Sequence, residues 1–147
     1  MVGIIVVGHG EFAKGLTSAV ELIAGKQDNY ITLDFTSDIT PAELGDNITK
    51  AIETLDNEVG TLIFTDLKGG TPFKESAEIS ISYSNVRVLT GTNIAMLLEA
   101  SLMRAAIDDI NTFAQGLAAT GSDQVDLFDL ASLSIENNQD TEDEDGI

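Results

Sequence analysis

Apolar positions along the chain fall into two alternating patterns. Short continuous runs at Ile4 to Val7, Tyr30 to Phe35, Thr61 to Thr65 and Val86 to Leu89 predict strands. Between them, apolar residues recur at helical spacing. Phe12, Leu16, Ala19, Val20 and Ile23 form one stripe, with Gly25 as its stop, and Leu44, Ile48, Ala51, Ile52 and Leu55 form a second. Thr40-Pro41-Ala42-Glu43 opens that second helix, with Thr as N-cap, Pro in the first position and Glu three residues after the cap. Thr71-Pro72 repeats the cap-then-proline signal and predicts a third helix to about Ser82. Asn93 onward is helical, with Ile94, Leu97, Leu98 and Leu102 on one face. A further helix lies near Ile110, Phe113, Ala114 and Leu117, and Val125 to Phe128 reads as a last short strand.

Strands alternating with helices predict an α/β fold: a three-layer, open, mainly parallel sheet with helices on both faces. Burial on both faces explains why Ile4-Ile5-Val6-Val7 and Leu62-Ile63-Phe64 are unbroken apolar runs. The expected strand order is the flavodoxin-like 2-1-3-4, and no internal repeat is visible. The last stretch differs in kind. Glu136 to Ile147 carries six acidic residues, no base and one large apolar residue, so burial there cannot offset the entropy of ordering. The predicted division is one α/β domain over residues 1–131 and an acidic, disordered tail over 132–147.

Composition narrows the chemistry. A chain of 147 residues suits one hydrophobic core without a disulfide or metal staple. Zero Cys removes thiolate chemistry, and a single His removes multi-histidine metal sites. With 25 acidic against 7 basic residues, the formal charge of −18 repels nucleic acid and anionic membrane. No apolar run reaches the roughly 18–20 residues that cross a bilayer. Met1 to Val7 lacks the basic segment and longer apolar stretch of a signal peptide, so a cytoplasmic location is expected.

Two loops hold the candidate chemistry, Gly8-His9-Gly10 and Asp66-Leu67-Lys68-Gly69-Gly70-Thr71-Pro72. Each follows a strand and precedes a helix, which puts both at the carboxyl edge of a parallel sheet. If the first strand lies between the second and third, the loops face each other, and His9 and Asp66 become neighbours. A carboxylate on one imidazole nitrogen fixes the tautomer and leaves the other nitrogen as a positioned nucleophile. Amides at the Gly69-Gly70-Thr71 turn suit a phosphate-like anion, and Lys68 and Lys74 flank it. Phosphoryl transfer through phosphohistidine follows. Taken singly, the His fits a structural hydrogen bond, the Gly-Gly a loop before a cap, and Asp66 a turn cap. The sole His and the sole Gly-Gly falling on one sheet edge favours the functional reading.

Gly8-His9-Gly10 with Phe12-Ala13 and Gly15, followed by Asp66-Leu67-Lys68-Gly69-Gly70-Thr71-Pro72-Phe73, resembles the two signature loops of mannose-family IIA domains. These belong to the bacterial phosphoenolpyruvate-dependent sugar phosphotransferase system, and the resemblance covers roughly residues 1–130. It implies that His9 accepts a phosphoryl group from HPr and passes it to the IIB component, which serves the membrane permease IIC/IID. Asp66 would orient His9; Gly10, Gly69, Gly70 and Thr71 would hold phosphoryl oxygens; no cofactor is implied. The family resemblance also implies a homodimer that pairs a C-terminal strand, here Val125 to Phe128. Lys68 and Lys74 depart from the family's apolar residue and Asn. Lys74 resembles the amino-sugar subgroup.

Two other readings stand beside this one. Gly8-His9-Gly10-Glu11-Phe12-Ala13 fits the dinucleotide pattern G-x-G-x-x-A, with Asp34 near the acidic position. A non-catalytic regulatory module on the same fold is the other. G-x-S-x-G and the G-x-x-x-x-G-K-[ST] loop are both absent.

Overall fold

A computed structural model describes residues 1–131, so the predicted acidic tail over 132–147 lies outside the described residues. The elements run β1 (Gly3–His9), α1 (Phe12–Ala24), β2 (Tyr30–Phe35), α2 (Pro41–Thr54), β3 (Thr61–Thr65), α3 (Thr71–Ser80), β4 (Val86–Leu89), α4 (Ile94–Met103), a 3-10 turn (Arg104–Ala106) and α5 (Ile110–Asp123). The four strands pair in parallel in the order β2-β1-β3-β4. This is the predicted α/β architecture.

Alternation along the central strands divides the core in two. Ile4, Val6, Leu62 and Phe64 face α1, α4 and α5, where Ala13, Val20, Met96, Leu97, Ala100, Ile110 and Leu117 cover them. Ile5, Val7 and Ile63 face the other way, against Leu44, Ile48, Ala51 and Ile52 of α2. Every residue from Ile4 to Val7 is fully buried, as unbroken apolar strands require.

The caps follow the sequence with one shift. The Thr40 hydroxyl accepts the Glu43 N–H at 3.1 Å, as expected. At α3, however, Gly70 is the N-cap and Thr71 the first helical residue, so the Thr71 hydroxyl is not spent on capping. The Gly70 carbonyl accepts the Lys74 N–H at 2.9 Å, which sets the frame one residue early. This helix ends at Ser80 rather than Ser82, where two turn bonds close it.

Two expectations about burial fail, and one strand is not formed within the described residues. Ile23 is 45% exposed and Leu102 is 62% exposed. Leu102 lies off the inward face of α4, which runs through Met96, Leu97 and Ala100 and continues to the buried Arg104. Val125 to Phe128 forms no strand within the chain; it is irregular, with Val125, Leu127 and Phe128 more than 70% exposed. Pairing at a dimer edge, the other form of that expectation, needs a second copy of the chain.

Arg104 was not anticipated. It is 2% exposed at the amino edge of the sheet and makes no ion pair with a carboxylate among the described residues. Its guanidinium donates to the carbonyls of Val2 at 3.1 Å and Asn29 at 2.9 Å, to the Asp28 carbonyl, and to Gln27 Oε1 at 3.2 Å. Burial lowers its pKa. Beside it, Asn29 adopts a left-handed φ of 52° and ties Met1 to Asp56 through its side-chain amide. Main-chain acceptors at three positions thus share one side chain, and those of Val2 and Asp28 depend on it most, since the Asn29 carbonyl also accepts the Ile4 N–H at 3.1 Å. Arg104→Met is expected to cost roughly 2–4 kcal/mol in urea denaturation, because it strands buried carbonyls. A loss below about 1 kcal/mol would mean that water replaces the guanidinium there.

Candidate functional site

The parallel register builds the site. β1 pairs His9 with Phe35 of β2 on one side and Val7 with Thr65 of β3 on the other. β3 stops at Thr65, so Asp66 turns off the sheet beside the last residues of β1. Its Oδ2 accepts both the His9 main-chain N–H at 2.7 Å and the His9 Nδ1–H at 2.8 Å. Its Oδ1 accepts the Leu67 N–H at 2.7 Å. Two residues 57 apart in sequence therefore share two bonds, and the neighbouring Leu67 gives the carboxylate a third, as the two-loop reading expects.

Neighbouring loops hold that carboxylate's backbone. The Asp66 carbonyl accepts the Gly91 N–H at 2.8 Å, and the Thr65 carbonyl accepts the Thr92 N–H and hydroxyl at 3.1 and 2.7 Å. Thr65 in turn donates its hydroxyl to the Leu89 carbonyl at 2.8 Å. The β4–α4 turn thus braces the Asp66 loop, a role no spacing in the sequence announced.

The His9 side chain is 47% exposed and that of Asp66 is 13% exposed. The imidazole meets Phe35 edge to face, with ring centroids 5.7 Å apart. Phe35, with Gly10, Thr36, Ser37 and Ile39, lines an open cleft of about 470 Å³ beside the ring. Sequence reasoning missed Phe35 as a site residue, although its place at the end of β2 was the available signal. With Nδ1 turned to Asp66, the Nε2 lone pair faces out.

Opposite the ring stands the amino end of α3. A Cβ built on Gly70 would lie 3.0 Å from His9 Cε1, so glycine is what lets the helix start approach the imidazole. The Gly70 N–H is already given to the Leu67 carbonyl at 3.0 Å. The Thr71 and Phe73 N–H groups have no acceptor among the described residues and are the open donors of the helix end. Gly10, at φ 58°, supplies the turn after His9, but its N–H is given to the Phe35 carbonyl at 2.8 Å. Gly69 shares the turn with a φ of 82°. Lys68 and Lys74 are exposed and make no ion pair among the described residues.

The dinucleotide reading is not favoured. The Gly10 amide is occupied, and a half-exposed imidazole stands in the loop that would wrap a pyrophosphate. Asp34 sits on β2 against Gly8, and its carboxylate is directed at the Lys14 N–H, 3.4 Å away. The described residues contain no acidic or histidine cluster able to hold a metal, and no helix among them is long and apolar enough to cross a membrane.

Burial alone would raise the Asp66 carboxyl. The His9 and Leu67 N–H groups and the imidazole outweigh it and hold the carboxyl below its ordinary value of 3.8. A depressed value contributes stability that is complete above 3.8 and is lost as pH falls through the lowered value. Asp66→Asn is therefore expected to be destabilised by roughly 1–3 kcal/mol at pH 7, with the gap closing as pH falls below that range. Denaturation at several pH values measures it, and a gap independent of pH would contradict the assignment.

Residues 3–116 match the family model EIIA-man, described as the phosphotransferase system (PTS) fructose IIA component. The sorbose-specific EIIA component of Lacticaseibacillus casei is 40% identical over 99 residues, 67% of this chain and 71% of that protein. The mannose-specific EIIAB component of Escherichia coli K12 is 29% identical over 103 residues, 70% of this chain. Those residues span only 32% of that longer protein. Among solved structures, a phosphotransferase system EIIA from Streptococcus agalactiae superposes with a TM-score of 0.80 at 29% identity, covering 90% of this chain and 99% of that one. A mannose/sorbose-specific IIA subunit from Enterococcus faecalis gives 0.79 at 26% identity, covering 88% and 96%.

Proposed function

Because the chain belongs to the EIIA-man family of phosphotransferase-system IIA components, we propose that it is a cytoplasmic phosphoryl carrier in which His9 accepts a phosphoryl group from phosphorylated HPr and gives it to a IIB component. One observation carries this reading: His9 Nδ1 is held 2.8 Å from Asp66 Oδ2, which leaves Nε2 free beside an open helix end.

The chemistry balances without a cofactor. The donor's N–P bond breaks as His9 Nε2–P forms, while the Nδ1 proton stays on the ring against Asp66. Transfer onward reverses these steps, with the IIB component as acceptor. The moving phosphoryl carries its charge on three oxygens, so positioning and fixed dipoles do most of the work. The Thr71 and Phe73 amides and the Thr71 hydroxyl, uncommitted by the shifted cap, are the donors suited to those oxygens. Gly70 and Gly10 shape the site rather than lend it amides.

The sugar belongs to downstream partners: IIB and, through it, the IIC/IID permease. Relatives named for sorbose, mannose and fructose point to hexoses as a class, and lend the amino-sugar subgroup no weight.

Incubation with phosphoenolpyruvate, enzyme I and HPr is expected to add one acid-labile phosphoryl group by mass. His9→Ala removes it, and Asp66→Asn slows its formation roughly 10–100-fold by losing the tautomer. An undiminished adduct on His9→Ala would sink the relay.

The same reading takes the protein as a homodimer. Val125, Leu127, Phe128 and Leu130 are exposed. β4 leaves an open edge beside a groove of about 380 Å³, whose walls include Val88, Leu89, Ala114 and Ala118. Strand addition from a second copy would cover both. Phe128→Asp with Leu127→Asp is expected to give a monomer by light scattering with the fold retained; an unaffected dimer would rule out this edge.

A further inference from the structure

The chain's few cations are distributed against its composition. Seven basic residues face 25 acidic ones. Arg104 is buried at the amino edge, and Arg87 is tied to Asn111 and to the carbonyls of Ser84 and Val86. Five lysines are exposed, and three of them, Lys14, Lys68 and Lys74, lie in or next to the two loops that form the His9 site.

Helix physics makes the placement more pointed. α1, α2, α3 and α4 all begin at the carboxyl edge of the sheet, where the helix dipole favours acids and disfavours lysine. Glu43 follows that preference in α2. The first turns of α1 and α3, the two helices that adjoin His9, hold no acid and carry Lys14 and Lys74 instead. Lys14 is compensated by Glu11, 3.9 Å away. Lys68 and Lys74 have no such partner among the described residues. Glu75, next to Lys74, turns its carboxylate toward Gly45 of α2 instead.

Both uncompensated lysines stand on the loop and first helical turn that meet the ring. Lys68 is two residues from Asp66, which bonds His9, and two from Gly70, where a Cβ would come within 3.0 Å of His9 Cε1. Lys74 is one helical turn, about 6 Å, beyond Gly70. A charge acts over roughly 8 Å at physiological ionic strength and further in low salt.

Resting on the carrier reading above, we propose that Lys68 and Lys74 are positioning residues that set the phosphoryl-transfer equilibrium, holding the dianionic phosphoryl group on His9 against return to the donor. The net charge of −18 opposes adding two more negative charges. Two local ammonium groups offset that opposition where the phosphoryl arrives. They act on the phosphorylated state, not on the Asp66–His9 bond, so their removal changes how far transfer goes while the tautomer stays set.

The test measures the fraction of this chain phosphorylated at equilibrium with fixed amounts of HPr and phospho-HPr, by intact mass, in low salt. Lys68→Gln and Lys74→Gln are each expected to shift the equilibrium about threefold toward HPr, and the double variant about tenfold. Lys→Arg at both positions restores it, since charge and not shape is required. In 1 M salt the variants converge on the unaltered protein, as screening to about 3 Å demands. Lys50→Gln, on the far part of α2, is the control for net charge alone. An unchanged equilibrium reached more slowly would overturn the proposal, because the lysines would then dock the donor. An equal shift in Lys50→Gln would overturn it too. Absence of an adduct on the unaltered chain would instead overturn the carrier reading itself.

Discussion

One carboxylate organises the reactive edge of this molecule. Asp66 receives the main-chain and ring N–H of His9 and the N–H of Leu67, so it fixes where the loop runs and which imidazole nitrogen stays free. Losing any of these bonds would leave a charged, largely covered oxygen short of a donor, which costs more than the bond contributes. The position is therefore over-determined, and the imidazole at the last residue of β1 is held as firmly as one inside the sheet.

The two ends of the sheet do opposite work. At the amino edge, Arg104 and Asn29 engage the loose carbonyls and amides of β1, β2 and the α2–β3 loop, with the guanidinium itself taken out of water. Tyr30 belongs to the same region; burial pushes its phenol up to about 12 while it hydrogen-bonds Thr17 at 2.8 Å. At the carboxyl edge, donors at the start of α3 and the outer nitrogen of His9 are left open. Stability concentrated at one end permits unsatisfied groups at the other, where a ligand completes them.

On the proposed carrier reading, His9 must also release what it accepts. His9 is held by groups that touch Nδ1, its main chain and one ring edge, none of which blocks Nε2. The ring is therefore fixed in orientation yet open on its outer side, and the cleft beside Phe35 and Ile39 leaves space there. On that reading, long-range charge rather than a closed pocket would set the affinity for phosphate. That suits a site where the phosphoryl has to leave as readily as it comes.

The sequence by itself determined the layers, the strand order and the identity of the central pair. Unbroken β-branched runs are stable only when buried on both faces, and glycine-flanked loops after such strands fall at one edge. The Thr40 cap was equally legible, because capping depends on neighbours in the chain. Tertiary structure alone decided the rest. The cap frame of α3 moved to Gly70, freeing Thr71, because the close approach of His9 sets where that helix starts. Phe35 joined the site through strand register, and Arg104 became a buried clamp through carbonyls as many as 102 residues away. Val125 to Phe128 is irregular within the single chain, because a strand needs a partner strand that local pattern cannot supply. Local preferences are written in short windows, whereas contacts between distant segments exist only once the core has brought those segments together.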